Sequence, residues 1–132
     1  MIELLFASAI MIIILTSVAG AMSVTEVMVE EMSRQAQALA IAEEGVQATI
    51  SIADRSWDEL AVGTHGLVVG SSPPMWIFEG ASDTTGDYTR TIAVSSDDAD
   101  TKRVVVTVTW HPRAGRTATI EEQMVLTDWA FI

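Results

Sequence analysis

The chain changes character about one sixth of the way along. After Glu3, nineteen residues from Leu4 to Met22 carry no charge. At ~1.5 Å per residue a helix of that length spans roughly 28 Å, the thickness of a bilayer's hydrocarbon layer. Further on, Val24, Met28, Met32, Ala36, Leu39, Ala42, Val46, Ile50, Ala53, Trp57 and Leu60 recur at spacings of three and four. That spacing draws one stripe along a helix. Glu26, Glu30, Arg34, Gln35, Gln37, Glu43 and Asp54 fall between them, and Glu30 precedes Arg34 by four, the favourable order for a helical ion pair. No proline occurs before Pro73. The pattern therefore predicts one helix from about Ile2 to about Leu60, roughly 87 Å long. A globule of this size needs no such length; the length makes sense if half of the helix belongs to an assembly.

From Gly63 the period changes. Gly63 and Gly66 are expected to end the helix and open a turn holding His65. Short apolar runs follow at Leu67–Val69 and Met75–Phe78, with a turn at Gly70–Pro74 and a polar loop at Ala81–Asp87. Tyr88, Arg90, Ile92 and Val94 then alternate with polar residues. Ser95–Thr101 reads as an acidic connection, Lys102–His111 as the strongest strand, Pro112–Gly115 as a turn and Arg116–Thr127 as the returning strand. The expected fold class is α+β: a long N-terminal helix with a small antiparallel sheet head packed on its C-terminal half. Three main strands plus a short edge element are anticipated. Ile50, Trp57, Trp76, Trp110 and Trp129 are the expected packing residues between head and helix.

Composition narrows the chemistry. The 132 residues carry a formal charge of −11 and no cysteine. A strongly acidic surface repels phosphate backbones and disfavours nucleic acid. Without cysteine there is no disulfide, thiol nucleophile or cysteine-bound metal. The two histidines, His65 and His111, are not at a metal-ligand spacing, and no phosphate-binding loop is present. No cofactor and no enzymatic activity are expected. Asp97, Asp98 and Asp100 are weak candidates for calcium, which takes clustered carboxylates; Asp83 and Asp87 lie in a second acidic loop. Solvated hairpin loops are the plainer reading. Five basic residues, Arg90, Lys102, Arg103, Arg113 and Arg116, lie in the sheet region, and Glu26, Glu30, Glu31, Glu43 and Glu44 lie on the helix. This polarity suits pairing between head and helix of different subunits, or a solvated face.

The N-terminus is the most informative stretch. A transmembrane helix or signal peptide normally carries Lys or Arg on its cytoplasmic flank. Here the first basic residue is Arg34, and the early charge is the acid Glu3. A mature product, cut from a short basic leader, accounts for this. "IELL" followed by Phe6-Ala7-Ser8-Ala9-Ile10-Met11-Ile12-Ile13-Ile14-Leu15 resembles the start of type IV pilins and related pseudopilins. "AIAEEGVQATISIADRSWDEL" with "GTHGL" also resembles pilin-like proteins, in which the Arg-Ser-Trp-Asp run closes the helix and a glycine turn follows. The family usually has four residues before the Glu; this chain has two, so its register against a neighbour's amine differs or the start lies elsewhere. Many members close the C-terminal region with a disulfide, which this chain cannot form.

The resemblance implies residues 1–23 as membrane anchor and filament core, and 24–132 as the pilin head, comprising the helix's second half (24–60) and the sheet (67–132). It implies a homo-oligomeric helical filament at the cell surface, reached from the inner membrane through a prepilin peptidase and the pilus assembly machinery, with no specific nucleic acid. Met1, Glu3, Leu4, Leu5, Phe6, Ile10, Ile13 and Ile14 would make the assembly contacts. Glu3 would pair with a neighbour's α-amino group, because an unpaired carboxylate in a dry core costs several kcal/mol. Gly20 is read either as a bend or as a point of close helix approach. The alternatives are a minor pilin, a secretion-system pseudopilin, or a single-pass anchored binding protein that never polymerises.

Overall fold

The computed structural model describes residues 2–113 and 115–128. The helix α1 runs over Ile2–Arg55, followed by a short 3-10 turn at Trp57–Glu59 and six strands. These are β1 (Gly63–Ser71), β2 (Pro74–Glu79), β3 (Asp83–Thr85), β4 (Tyr88–Asp98), β5 (Thr101–Arg113) and β6 (Arg116–Thr127). The α+β class holds: one long N-terminal helix and an antiparallel sheet. Two compact units divide the chain, residues 1–35 and 36–132. The uncharged run gives way to charge at Glu26; the division at 35 marks where packing begins.

The helix stops five residues short of Leu60 because Ser56 adopts an extended backbone, φ −160° and ψ 121°. Gly63, His65 and Gly66 do not form a turn. They begin β1, which pairs with β4 over Gly63↔Val94 to His65↔Ile92 and then with β2 from Gly66↔Glu79 onward. Two expectations are corrected here: the glycine turn, and the count of three main strands plus an edge element. Glycine serves the strand instead. At Gly66 the Ser82–Asp83 backbone crosses so closely that a Cβ would lie 2.6 Å from the Ser82 carbonyl oxygen. This crossing lets β3 take over the edge of β4 where β1 leaves it, through Asp83↔Arg90 to Thr85↔Tyr88.

The sheet order is β2-β1-β4-β5-β6, with β3 beside β4. The alternation read in the sequence sets its inner face. Tyr88, Ile92 and Val94 of β4 and Val104, Val106, Val108 and Trp110 of β5 are buried. The outer face presents threonines, Thr89, Thr91, Thr107 and Thr109 among them. The predicted acidic connection shrinks, because β4 continues to Asp98 with one register shift. An Arg103–Asp97 ion pair at 2.6 Å and the Ser95 hydroxyl on the Arg103 carbonyl hold this extension.

Within the second unit, the helix turns an unexpected face to the sheet. Its buried residues are Ala38, Ala42, Gly45, Ala48, Thr49 and Ile52. Of the predicted stripe, Ala42 lies on that face; Val46, Ile50 and Ala53 lie half-buried along its flank, and Ala36 and Leu39 are exposed, Leu39 at 40 %. Size explains the shift. A Cβ on Gly45 would sit 2.9 Å from Val106 Cγ1 and 3.1 Å from Arg90 Cδ. Small side chains let the helix backbone approach the valine ridge, and the larger residues of the stripe sit beside it. Trp57 and Trp76 pack half-buried against the core, Trp110 is buried and Ile50 is half-buried. Trp129 lies outside the described residues.

Candidate functional site

The segment Ile2–Ser33 is helical and exposed at every position. Leu4, Leu5 and Phe6 are 77, 70 and 66 % exposed, and Ile10, Ile13 and Ile14 are likewise open. Met1 lies outside the described residues. In water such a surface forfeits about 1.5–3 kcal/mol for each large side chain left uncovered. The helix is long and apolar enough to cross a membrane.

Its hydroxyl groups bond back to the helix itself. Ser8, Thr16 and Ser17 are the three hydroxyl residues between Leu4 and Met22. The Ser8 hydroxyl donates to the Leu5 carbonyl at 2.9 Å, that of Thr16 to Ile12 at 2.9 Å, and that of Ser17 to Ile13 at 2.7 Å. In hydrocarbon every donor must find its partner inside the segment, and these do. Glu3 stands in the first turn, where a carboxylate meets the positive end of the helix dipole. Gly20 sits in unbroken helix with nothing within 4 Å of a Cβ placed there. Within this chain it makes room for no neighbour. Beyond the apolar run, Arg34 Nη2 and Glu30 Oε1 form the expected pair at 3.1 Å.

The second unit is held by a polar lock absent from the sequence reading. Arg90 is 3 % exposed. Its Nη2 donates to Asp83 Oδ2 at 2.7 Å and its Nε to Asp83 Oδ1 at 3.2 Å. Its Nη1 donates to the Ile41 carbonyl at 3.1 Å and to Glu44 Oε1 at 2.9 Å. Asp83 Oδ1 also accepts the Leu67 N–H at 2.9 Å, where β1 parts from β4. One guanidinium thus ties helix, β4, β3 and β1 together. Burial pulls its pKa down, but the hydrogen bonds and charges of Asp83 and Glu44 outweigh this and raise it above the ordinary value. Arg90 stays charged. Lys102 plays a second, smaller part: its Nζ donates to the Trp57 and Leu60 carbonyls at 3.0 and 2.8 Å and lies 4.5 Å over the Trp57 ring.

These contacts engage three of the five basic residues that pairing between subunits, or a solvated face, could have used. Arg90, Lys102 and Arg103 are engaged within their own chain, and Arg116 is exposed at the start of β6. The acidic loop is not assembled as a metal site. Among the described residues no group of three or more His, Asp or Glu side chains could hold a metal ion, and Asp97 is taken by Arg103. Asp83, from the other loop, is taken by Arg90. His65 stacks on Phe78 with centroids 4.5 Å apart, its Nε2 2.8 Å from the Ala61 carbonyl oxygen. His111 Nδ1 lies 3.3 Å from the Arg116 carbonyl oxygen. The same nitrogen lies 3.3 Å from the Thr117 hydroxyl. A cleft of about 350 Å³ beside Ala53–Trp57 and Leu126–Asp128 contains Arg55, which is bound to Glu59 and the Trp76 carbonyl.

A signal for the Arg90 lock did exist. The residue occupies an inward position in the alternation of Tyr88, Ile92 and Val94, and a buried arginine demands carboxylates. Which carboxylates it finds depends on the β3 crossing at Gly66, and no local pattern announces that. Compared with known proteins, the chain matches no family model, no curated protein and no solved structure.

Proposed function

We propose that this chain is the structural subunit of a type IV pilus-like filament, assembled without covalent chemistry through its N-terminal helix. The carrying observation is a conflict within Ile2–Ser33: its uncharged run Leu4–Met22 is of membrane length, has its hydroxyls bonded internally, and is exposed along its whole length. Such a surface requires a bilayer or copies of itself. The filament reading supplies both in sequence, membrane first and helix bundle afterwards, with a prepilin peptidase and the assembly machinery as partners. Leu4, Leu5, Phe6, Ile10, Ile13 and Ile14 are the proposed contacts, and the role is structural, not enzymatic.

Glu3 separates assembly from simple anchoring. A bilayer tolerates an acid at its headgroup layer and gains nothing from it. In a dry bundle the acid must be paired, and a neighbour's protonated α-amino group pairs it in one register only. The test is quantification of sheared filaments from cells making Glu3→Gln or Glu3→Ala. Assembly is expected to fall at least tenfold while the membrane-bound amount holds. Assembly at the wild-type rate contradicts the role of Glu3, and wild-type cells without filaments favour the anchored, non-polymerising protein.

A further inference from the structure

We propose that two copies of this chain pair through the free edge of β6, antiparallel, about a two-fold axis at Thr119. The strand is the last in the sheet order, and no other described strand covers its outer edge. It runs twelve residues, contains neither proline nor glycine, and keeps its register with β5 from Ala118 to Thr127. An edge of this kind templates another strand unless its side chains prevent it.

Those side chains select one partner strand and one register. Ala118, Ile120, Glu122, Met124 and Leu126 form the half-buried row of β6. Glu122 is thus a carboxylate on the inward row with no ion pair among the described residues, and Arg116 lies six residues earlier on the same side of the strand. Antiparallel pairing that keeps inward rows together can set Arg116 opposite Glu122 of the second copy. Symmetry then supplies the same pair again. Ala118 meets Ile120 of the second copy, Thr119 meets Thr119, and Thr117 meets Glu121. Sliding by two residues sets Arg116 against Met124 or Ile120 and leaves Glu122 without a cation. Sliding further brings Glu121 against Glu121 or Glu122 against Glu122, which like-charge repulsion disfavours.

The outer face agrees with this register. Thr84, Thr89, Thr109 and Thr119 stand opposite one another across β3, β4, β5 and β6. Pairing at Thr119 joins the threonine rows of the two copies end to end with no charge between them. Such a two-fold contact closes on itself at two copies. It is therefore distinct from helical polymerisation and does not depend on it.

The chain has no cysteine, so one introduced thiol reports one position. The full chain, in detergent micelles, is oxidised mildly after substitution at the edge. Thr119→Cys is expected to give a disulfide-linked dimer, and so is the double variant Thr117→Cys with Glu121→Cys. Thr127→Cys, equally exposed on the same strand, is expected to give none. In the Thr119→Cys background, Glu122→Arg should lower crosslinking roughly fivefold, as loss of two exposed ion pairs predicts, and adding Arg116→Glu should restore it. Circular dichroism establishes that each variant is folded. Equal crosslinking at residues 119 and 127, no crosslinking at 119 in a folded chain, or a charge swap that restores nothing overturns the proposal.

Discussion

Residues 2–35 and residues 36–55 belong to one helix and obey opposite rules. In the first stretch the large apolar side chains, leucines, isoleucines and methionines, are exposed. In the second the buried face consists of alanines, a glycine, a threonine and one isoleucine. Apolarity alone did not decide which part of the helix is covered within the chain. The covered part has small side chains, because the sheet is near and Val106 and Arg90 already fill the space. The uncovered part keeps large ones, which carry the greater gain when a bilayer or another helix supplies the cover. The contrast teaches that the second stretch is finished within one chain and the first is not.

Substitutions can break this contrast. Removing the guanidinium of the lock has the largest expected effect. Arg90→Met leaves Asp83 without its cation and should lower head stability by about 3 kcal/mol or more in denaturant unfolding. Arg103→Ala, at a half-exposed pair, should cost less than about 1 kcal/mol. Comparable losses would mean that the lock is not the centre of the head. Next comes a charge in the uncovered stretch. Ile13→Asp should disfavour membrane insertion by about 3 kcal/mol, read as loss from the membrane fraction, while the head's melting temperature stays unchanged. A lowered melting temperature would place Ile13 in the head's core and refute the division. The smallest and sharpest test compares two glycines of one helix. Gly45→Val must displace Val106 or Arg90 and should cost about 2 kcal/mol. Gly20→Val meets open space and should leave head unfolding within about 0.5 kcal/mol of wild type.

Much of this was legible in the chain itself. The uncharged run to Met22 and the absence of early proline announced the helix, and the alternation at Tyr88–Val94 and Lys102–Trp110 announced the two central strands. Periodicity failed where its signal is size-blind or non-local. Ala38, Gly45 and Ala48 carry too little apolar bulk to draw the eye from Leu39 and Val46, though with Ala42 they form the contact. Gly63 and Gly66 resemble a turn in sequence; in the fold they enter a strand, and at Gly66 the crossing backbone of Ser82 and Asp83 takes the space a side chain would fill. Arg90 was grouped by charge with exposed arginines, yet its place in the alternation puts it inside. At the N-terminus, by contrast, residue order carried most of what supports the functional reading, since Glu3 and the run behind it need no tertiary contact to be recognised.

Electron microscopy of material sheared from the surface of cells producing the full chain tests the central claim most directly. The account predicts thin helical filaments containing this chain, with Ile2–Ser33 packed against copies of itself along the axis. Cells that hold the chain in the membrane fraction and release no filaments would contradict it.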